Sequence, residues 1–307
     1  MSFRGRDIIS MLDFTRGDLE HIFSLADDMF PFRKSGIGLL KGRVMALLFF
    51  EPSTRTRLGF ETAMMRLGGS VIGFSEPGTT SIAKGETIAD TIRMVDAYAN
   101  VIVIRHMYEG AAKFAAELAD VPVVNGGDGM QHHPTQAMID LYTIWKEFGR
   151  IDGLHVAIVA DLRHARLMAS LCHALAYFDV KLSLISPPGL GVRREIRDYL
   201  EKMHVPLYES HNLKDVIEDV DVICMSRIMQ ERFADRSEYE RLKKRYVVDL
   251  KAIQGAKDSM IILHALPRVD ELPPEIDGTR NARYFQQAAY GIPVRMAILS
   301  LILGARG

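Results

Sequence analysis

The sequence predicts an α/β protein of two domains, each a parallel sheet flanked by helices, with the active site in the cleft between them. Three observations carry that reading. Short apolar runs alternate with helical patterns along the chain, as buried parallel strands joined by crossover helices require. A chain of 307 residues with 48% hydrophobic content can bury one large core or two moderate ones, and its length favours two domains. Residues able to bind or polarise a ligand recur directly after predicted strands, which is where open parallel sheets collect ligands.

In chain order, Thr15-Arg16-Gly17-Asp18 reads as a capping box before Leu19, Ile22, Phe23 and Ala26, an amphipathic first helix. Strand-like runs follow at 44–50, 71–74, 101–104 and 121–124, with helical patterns around 87–97 and 111–118. A long helix is predicted from Pro134 through Trp145, and Gly149-Arg150-Ile151-Asp152-Gly153 reads as its end and a domain boundary. A second series places strands at 156–159, 180–185, 222–225 and 260–263, helices at 165–177 and 194–202, and a closing helical pattern at 285–303. There is no solenoid-period repeat and no low-complexity stretch.

The chain is organised around Phe49-Phe50-Glu51-Pro52-Ser53-Thr54-Arg55-Thr56-Arg57. Ser53 falls where a strand hands over to a helix, in the N-cap position. The first amides of a helix lack intrahelical partners and carry the positive end of its dipole. Three hydroxyls and two arginines in the same stretch suit an oxyanion, most plausibly phosphate; the plainer reading is a capped helix with solvated arginines. Arg105-His106, Asp161 to Arg166, Ser226-Arg227 and His264-Ala265-Leu266-Pro267-Arg268 each follow a predicted strand. Singly these are ordinary loop charges; together they point to a cleft.

His132-His133-Pro134-Thr135-Gln136 does not read as a metal site, because adjacent histidines rarely face one ion and no spaced third ligand joins them. A neutral imidazole polarising a carbonyl, with Pro134 opening a helix, suits the pattern better. Residues 80–87, small and polar, read as a mobile loop or a plain surface connection. Gly189-Leu190-Gly191 lacks the third glycine of a dinucleotide fingerprint and follows Pro187-Pro188. A net charge of -1 supplies no electrostatic case for nucleic acid or an anionic membrane. Cys172 and Cys224 lie in apolar segments, as buried free thiols of a reducing compartment would. No apolar run approaches ~18 residues, so a cytoplasmic protein is expected.

Phe50 to Arg57 resembles the carbamoyl phosphate signature of the aspartate and ornithine carbamoyltransferases, and Glu51-Pro52 resembles its aspartate branch. His133-Pro134-Thr135-Gln136 is similar to a second family motif, and the resemblance runs over nearly the whole chain. It implies transfer of a carbamoyl group from carbamoyl phosphate to aspartate, in pyrimidine biosynthesis, with no metal or organic cofactor. Ser53, Thr54, Arg55, Thr56 and Arg105 would bind phosphate, joined by Ser81 and Lys84 from a neighbouring subunit. Thr56, Arg105 and His133 would face the carbonyl oxygen. Gln136 and the backbone at Leu266 and Pro267 would hold the carbamoyl nitrogen. Arg166, Arg227, Gln230 and Lys84 would bind aspartate. A homotrimer with shared sites follows, and separate regulatory chains and allostery are candidates.

On the same resemblance, residues 1–133 form a carbamoyl phosphate-binding domain with 285–307 packing back on it, 134–149 link the halves, and 150–284 bind the amino acid. Glu51 with Arg105, and Asp161 with Arg268, are expected as ion pairs. The sequence departs from the family on the acceptor side: Met229 stands where a glutamine is usual, with Gln230 one position later, and Ala265 replaces a proline. A different amine acceptor and a non-catalytic homologue are the alternatives these changes raise. The ornithine branch's Ser-Met-Gly and His-Cys-Leu-Pro signatures are absent.

Overall fold

A computed structural model describes residues 3–228, 237, 239–240 and 246–306. Met229 and Gln230 lie outside the described residues. The chain divides into two compact units, Met1–Ile139 with Tyr290–Gly307, and Asp140–Ala289.

The first unit holds strands β1 (Val44–Phe49), β2 (Ser70–Phe74), β3 (Val101–His106) and β4 (Val123–Asp128), all parallel, in the order β2–β1–β3–β4. Both faces of β1 and β3 are buried, which is why they read as continuous apolar runs rather than alternating ones. Ala46, Leu48, Ile102 and Ile104 pack against Ile92, Val95, Ala112 and Ala115 on one face. β2 is an exposed edge, and its Gly73 sits at φ +132°, where an added Cβ would meet the Leu47 carbonyl oxygen at 2.0 Å. Only glycine fits that approach to β1.

Helices α1 (Arg16–Met29), α2 (Phe32–Ser35), α3 (Thr54–Arg66), α4 (Ile88–Asp96) and α5 (Ala111–Leu118) belong to this unit. The capping box forms: the Asp18 amide donates to Thr15 Oγ1 at 3.2 Å and the Thr15 amide to Asp18 Oδ2 at 2.9 Å. Such a cap is worth ~1 kcal/mol. Helix α6 (Pro134–Phe148) runs across the boundary between the units.

The second unit has β5 (His155–Val159), β6 (Lys181–Ile185), β7 (Leu207–Ser210), β8 (Val222–Met225) and β9 (Ile261–His264), again parallel, ordered β7–β6–β5–β8–β9. Helices α7 (Arg166–Leu175) and α8 (Arg194–Lys202) follow β5 and β6. The strand β7 has no apolar run to announce it, because it is a half-exposed edge. Leu190, between the two loop glycines, is buried in this unit's core with Ile185 and Val216.

Helix α9 (Tyr284–Ile302) contains Pro293 and enters the first unit at Tyr290. There Tyr290 stacks near Phe30, with ring centroids 5.9 Å apart. The guanidinium of Arg295 lies 5.1 Å over the Phe60 ring and donates to the Gly291 carbonyl at 3.0 Å. Its burial draws its pKa down to about 10.

Candidate active site

Strand order decides where each sheet can open. In the first unit the chain moves from β1 to β2 on one side and then returns to β3 on the other, so the switch point lies between β1 and β3. Phe49 and Arg105 are register partners there, which brings the segment after β1 and the end of β3 to the same edge. In the second unit the switch lies between β5 and β8, whose final pair is Val159 with Met225. Ser53 to Thr56 follow β1, and Arg166 and Arg227 follow β5 and β8, whereas Arg105 and His106, expected after the strand, are the last two residues of β3 itself.

Ser53 is the N-cap of α3, with extended backbone, yet its side chain makes no capping hydrogen bond. The hydroxyl is thus not consumed by the helix it begins. Thr54, Arg55 and Thr56 form the first turn. Partial loss of solvation at the Arg55 guanidinium lowers its pKa from the ordinary value. Thr56 is 4% exposed, and its Oγ1 lies 3.4 Å from His133 Nε2, bringing together two residues 77 positions apart.

Arg105 is braced on two sides: one guanidinium nitrogen donates to Glu51 Oε1 at 3.0 Å and another to the Gly126 carbonyl at 3.1 Å. The expected Glu51–Arg105 pair therefore forms. Its neighbour His106 packs on Phe50 at 4.7 Å between ring centroids, and its Nδ1 accepts the Tyr108 amide at 3.0 Å. Burial lowers the His106 pKa, so this ring serves the fold as a neutral group.

The two histidines at 132 and 133 part ways. His132 Nδ1 lies 3.4 Å from Ser10 Oγ, whereas His133 turns to Thr56. Buried Asp128 fixes the loop between β4 and α6, accepting from Asn125 Nδ2 at 2.9 Å, the Gly110 amide at 2.9 Å and the His132 amide at 3.3 Å. Pro134 then opens α6, where a missing amide proton costs nothing, and Gln136 sits in its first turn.

Residues 80–87 form a surface connection, as one of the two readings had it. Ser81–Lys84 is a short 3-10 turn capped by Thr80, whose hydroxyl accepts the Ile82 amide at 3.2 Å, and Ser81 and Lys84 are exposed.

In the second unit, fully buried Asp161 closes the loop after β5 on His164, whose Nδ1 lies 2.9 Å from Asp161 Oδ2 and whose amide donates to Oδ1 at 3.1 Å. That turn sets Arg166 as the first residue of α7, only 8% exposed. Arg268 does not pair with Asp161: it bonds Asp277 at 2.6 Å and the Tyr284 hydroxyl at 3.1 Å. The hydrogen bond from Arg268 holds the Asp277 carboxyl below its ordinary value. Asp161 is fully buried just past the end of β5 and bonded by His164, whereas Asp277 and the Tyr284 hydroxyl are the groups beside the Arg268 guanidinium.

His264, expected just after a strand, is the last residue of β9, and it gathers polar partners that the sequence did not single out: Glu271, Gln287 and Asp140. His264 Nε2 lies 3.0 Å from Glu271 Oε1, and the His264 amide donates to Gln287 Oε1 at 2.8 Å. Gln287 in turn donates to Asp140 Oδ1 at 2.6 Å. Burial works to raise the Glu271 pKa, but hydrogen bonds from His264 and the loop amides prevail and lower it. A glutamine and an aspartate inside otherwise apolar helices were the available signal.

Comparison with known proteins supplies the family. Residues 6–146 match the carbamoyl-P binding domain of aspartate/ornithine carbamoyltransferase, and residues 152–302 match its Asp/Orn binding domain. The aspartate carbamoyltransferase catalytic subunit of Pyrobaculum arsenaticum is 56% identical over 301 residues, 98% of this chain and 99% of that one. Aspartate transcarbamoylase from Trypanosoma cruzi, solved in complex with carbamoyl phosphate, superposes with a TM-score of 0.93 at 38% identity, covering 98% of this chain and 97% of that one. The catalytic subunit of the M. jannaschii enzyme gives a TM-score of 0.89 at 44% identity over 96% of this chain and 97% of that one. Both domains, in order and at full length, place this chain in the aspartate/ornithine carbamoyltransferase family, and it is a carbamoyltransferase.

Proposed function

We propose that this chain transfers the carbamoyl group of carbamoyl phosphate to L-aspartate, yielding N-carbamoyl-L-aspartate and phosphate for pyrimidine biosynthesis. The observation that carries the reading is the Ser53 helix start: an N-cap serine whose hydroxyl makes no capping bond, two further hydroxyls and Arg55 at a switch point, with Thr56 against His133. The names of the relatives support aspartate as acceptor.

In this reading the first unit binds the donor. Ser53, Thr54, Arg55, Thr56 and Arg105 hold the phosphate dianion, with amides of α3 adding their dipole. The uncharged amine of aspartate attacks the carbonyl carbon; the new C–N bond forms as the carbonyl electrons move onto oxygen. Thr56, Arg105 and His133 stabilise that oxyanion, and its collapse breaks the C–O bond to phosphate. The departing phosphate takes the amine's proton. Gln136 and the backbone of Leu266 and Pro267 hold the carbamoyl nitrogen. Arg166 and Arg227, with Gln230, take the aspartate carboxylates, whose geometry a guanidinium fork matches.

Ser81 and Lys84 act in a neighbouring subunit's site, in a homotrimer. Their exposure supports this, as do the exposed apolar side chains Leu58, Met65 and Ile72 along α3 and the edge strand β2. Residues 1–133 and 150–284 are then donor and acceptor domains, joined by 134–149, with regulatory chains as possible further partners. Among the described residues no helix is long and apolar enough to cross a membrane.

The deciding experiment measures carbamoyl aspartate formed by the purified protein, with carbamoyl phosphate saturating and aspartate titrated. Saturable product is expected. Bound carbamoyl phosphate without product, and turnover with another carboxylated amine, would reject aspartate as acceptor.

A further inference from the structure

We propose that His264 is a positioning residue that sets the backbone of Leu266 and Pro267, and that it does so through one tautomer; this rests on the reading that those residues hold the carbamoyl nitrogen. Leu266 has φ +59°, a left-handed conformation that its Cβ disfavours. A residue keeps such a backbone only where its surroundings impose it. One group that acts on it is the imidazole two residues upstream: the Leu266 amide donates to His264 Nδ1 at 2.8 Å.

A ring nitrogen that accepts an N–H bond carries no proton, so the proton of His264 resides on Nε2. It points at Glu271 Oε1, 3.0 Å away, and both carboxylate oxygens of Glu271 also accept the Val269 amide at 3.2 Å. The ring thus grips the ascending arm of the loop through Nδ1 and the descending arm through Nε2 and Glu271. Gln287 anchors the strand end itself by accepting the His264 amide, and Asp140 orients Gln287. His264, Glu271, Gln287 and Asp140 are all buried, where polar bonds are costly to lose. Ala265 gives this network added weight, since the loop lacks a φ restraint that a proline would supply at that position.

Two substitutions separate the two ring nitrogens. In His264→Asn the side-chain oxygen takes the place of Nδ1 and keeps an acceptor for Leu266, while the link to Glu271 is lost. In His264→Gln the side-chain amide nitrogen takes the place of Nε2 and keeps the link to Glu271, while the bond from the Leu266 amide to Nδ1 is lost. The readouts are hydrogen exchange at the Leu266 amide, carbamoyl phosphate affinity by calorimetry, and steady-state kinetics.

In the unaltered protein the Leu266 amide should be protected from exchange. His264→Gln should speed its exchange and raise the KM for carbamoyl phosphate roughly tenfold above that of His264→Asn, with a smaller change in kcat. A Leu266 amide that exchanges like an unstructured peptide in the unaltered protein overturns the proposal, and this needs no variant to fold. Equal loss of binding in the two variants overturns it as well. Should the unaltered protein bind carbamoyl phosphate but form no carbamoyl aspartate, the acceptor assignment fails, while exchange and binding still decide the role of His264.

Discussion

Thr56 allows stability and catalysis to be pulled apart at one buried atom. Its side chain presents an Oγ1 3.4 Å from His133 Nε2 and a methyl that packs where a Cβ on Gly126 would lie 3.5 Å away. Thr56→Val keeps the volume and shape and replaces only the hydroxyl. A neutral hydrogen bond contributes ~0.5–1.5 kcal/mol net, and one as long as 3.4 Å belongs at the weak end. The cost in folding should therefore stay near ~1 kcal/mol. If the hydroxyl also faces the developing oxyanion, its loss should lower kcat by about 10²–10³, the usual effect of deleting one such donor.

Thr56→Ser makes the reverse change. It retains the hydroxyl and deletes one buried methyl, which costs about 1 kcal/mol of stability, and most of kcat should survive. The assays are urea unfolding and initial rates of carbamoyl aspartate formation on both variants. A Thr56→Val protein whose kcat/KM lies within threefold of the parent would refute the role given to this hydroxyl.

Three further predictions follow from the site and its supports. Mixing an Arg55→Ala variant with a Lys84→Ala variant should restore some activity through hybrid trimers; hybrids that assemble yet remain inactive would count against a shared site. Met229→Gln should tighten aspartate binding if the sequence departure there weakens the acceptor site, which a lower KM for aspartate at saturating carbamoyl phosphate would reveal. For pH, the Glu271 carboxyl has a lowered pKa in the folded chain, so its contribution to stability is present above its ordinary value and is lost as pH falls through the lower folded value. The urea midpoint of the parent should consequently drop more steeply below about pH 4.5 than that of Glu271→Gln; parallel curves would show that Glu271 contributes nothing to acid stability.

Much of the donor half was legible because its signals are local. The strand-to-helix handover at Ser53, the capping box at Thr15 and the proline-opened helix at Pro134 each depend on residues within one or two turns, and all three occur as read. The edge strand Leu207–Ser210 was not legible, since half-exposed edge residues carry neither a continuous apolar run nor a clean alternation. Arg268 was misassigned because its choice between Asp161 and Asp277 depends on which carboxylate the folded loops bring beside it, and periodicity says nothing about that.

By itself the sequence determined the fold class, the alternation of strands and helices, and the hydroxyl and guanidinium groups that suit a phosphate, because hydrophobic period and capping chemistry are properties of neighbouring residues. Only tertiary structure decided the strand order that creates a switch point between β1 and β3 and another between β5 and β8. It also brought Thr56 to His133 across 77 positions, and tied Asp140 to Gln287 across 147. These are pairings across long stretches of chain, selected by which buried polar groups can satisfy one another once the apolar faces have packed.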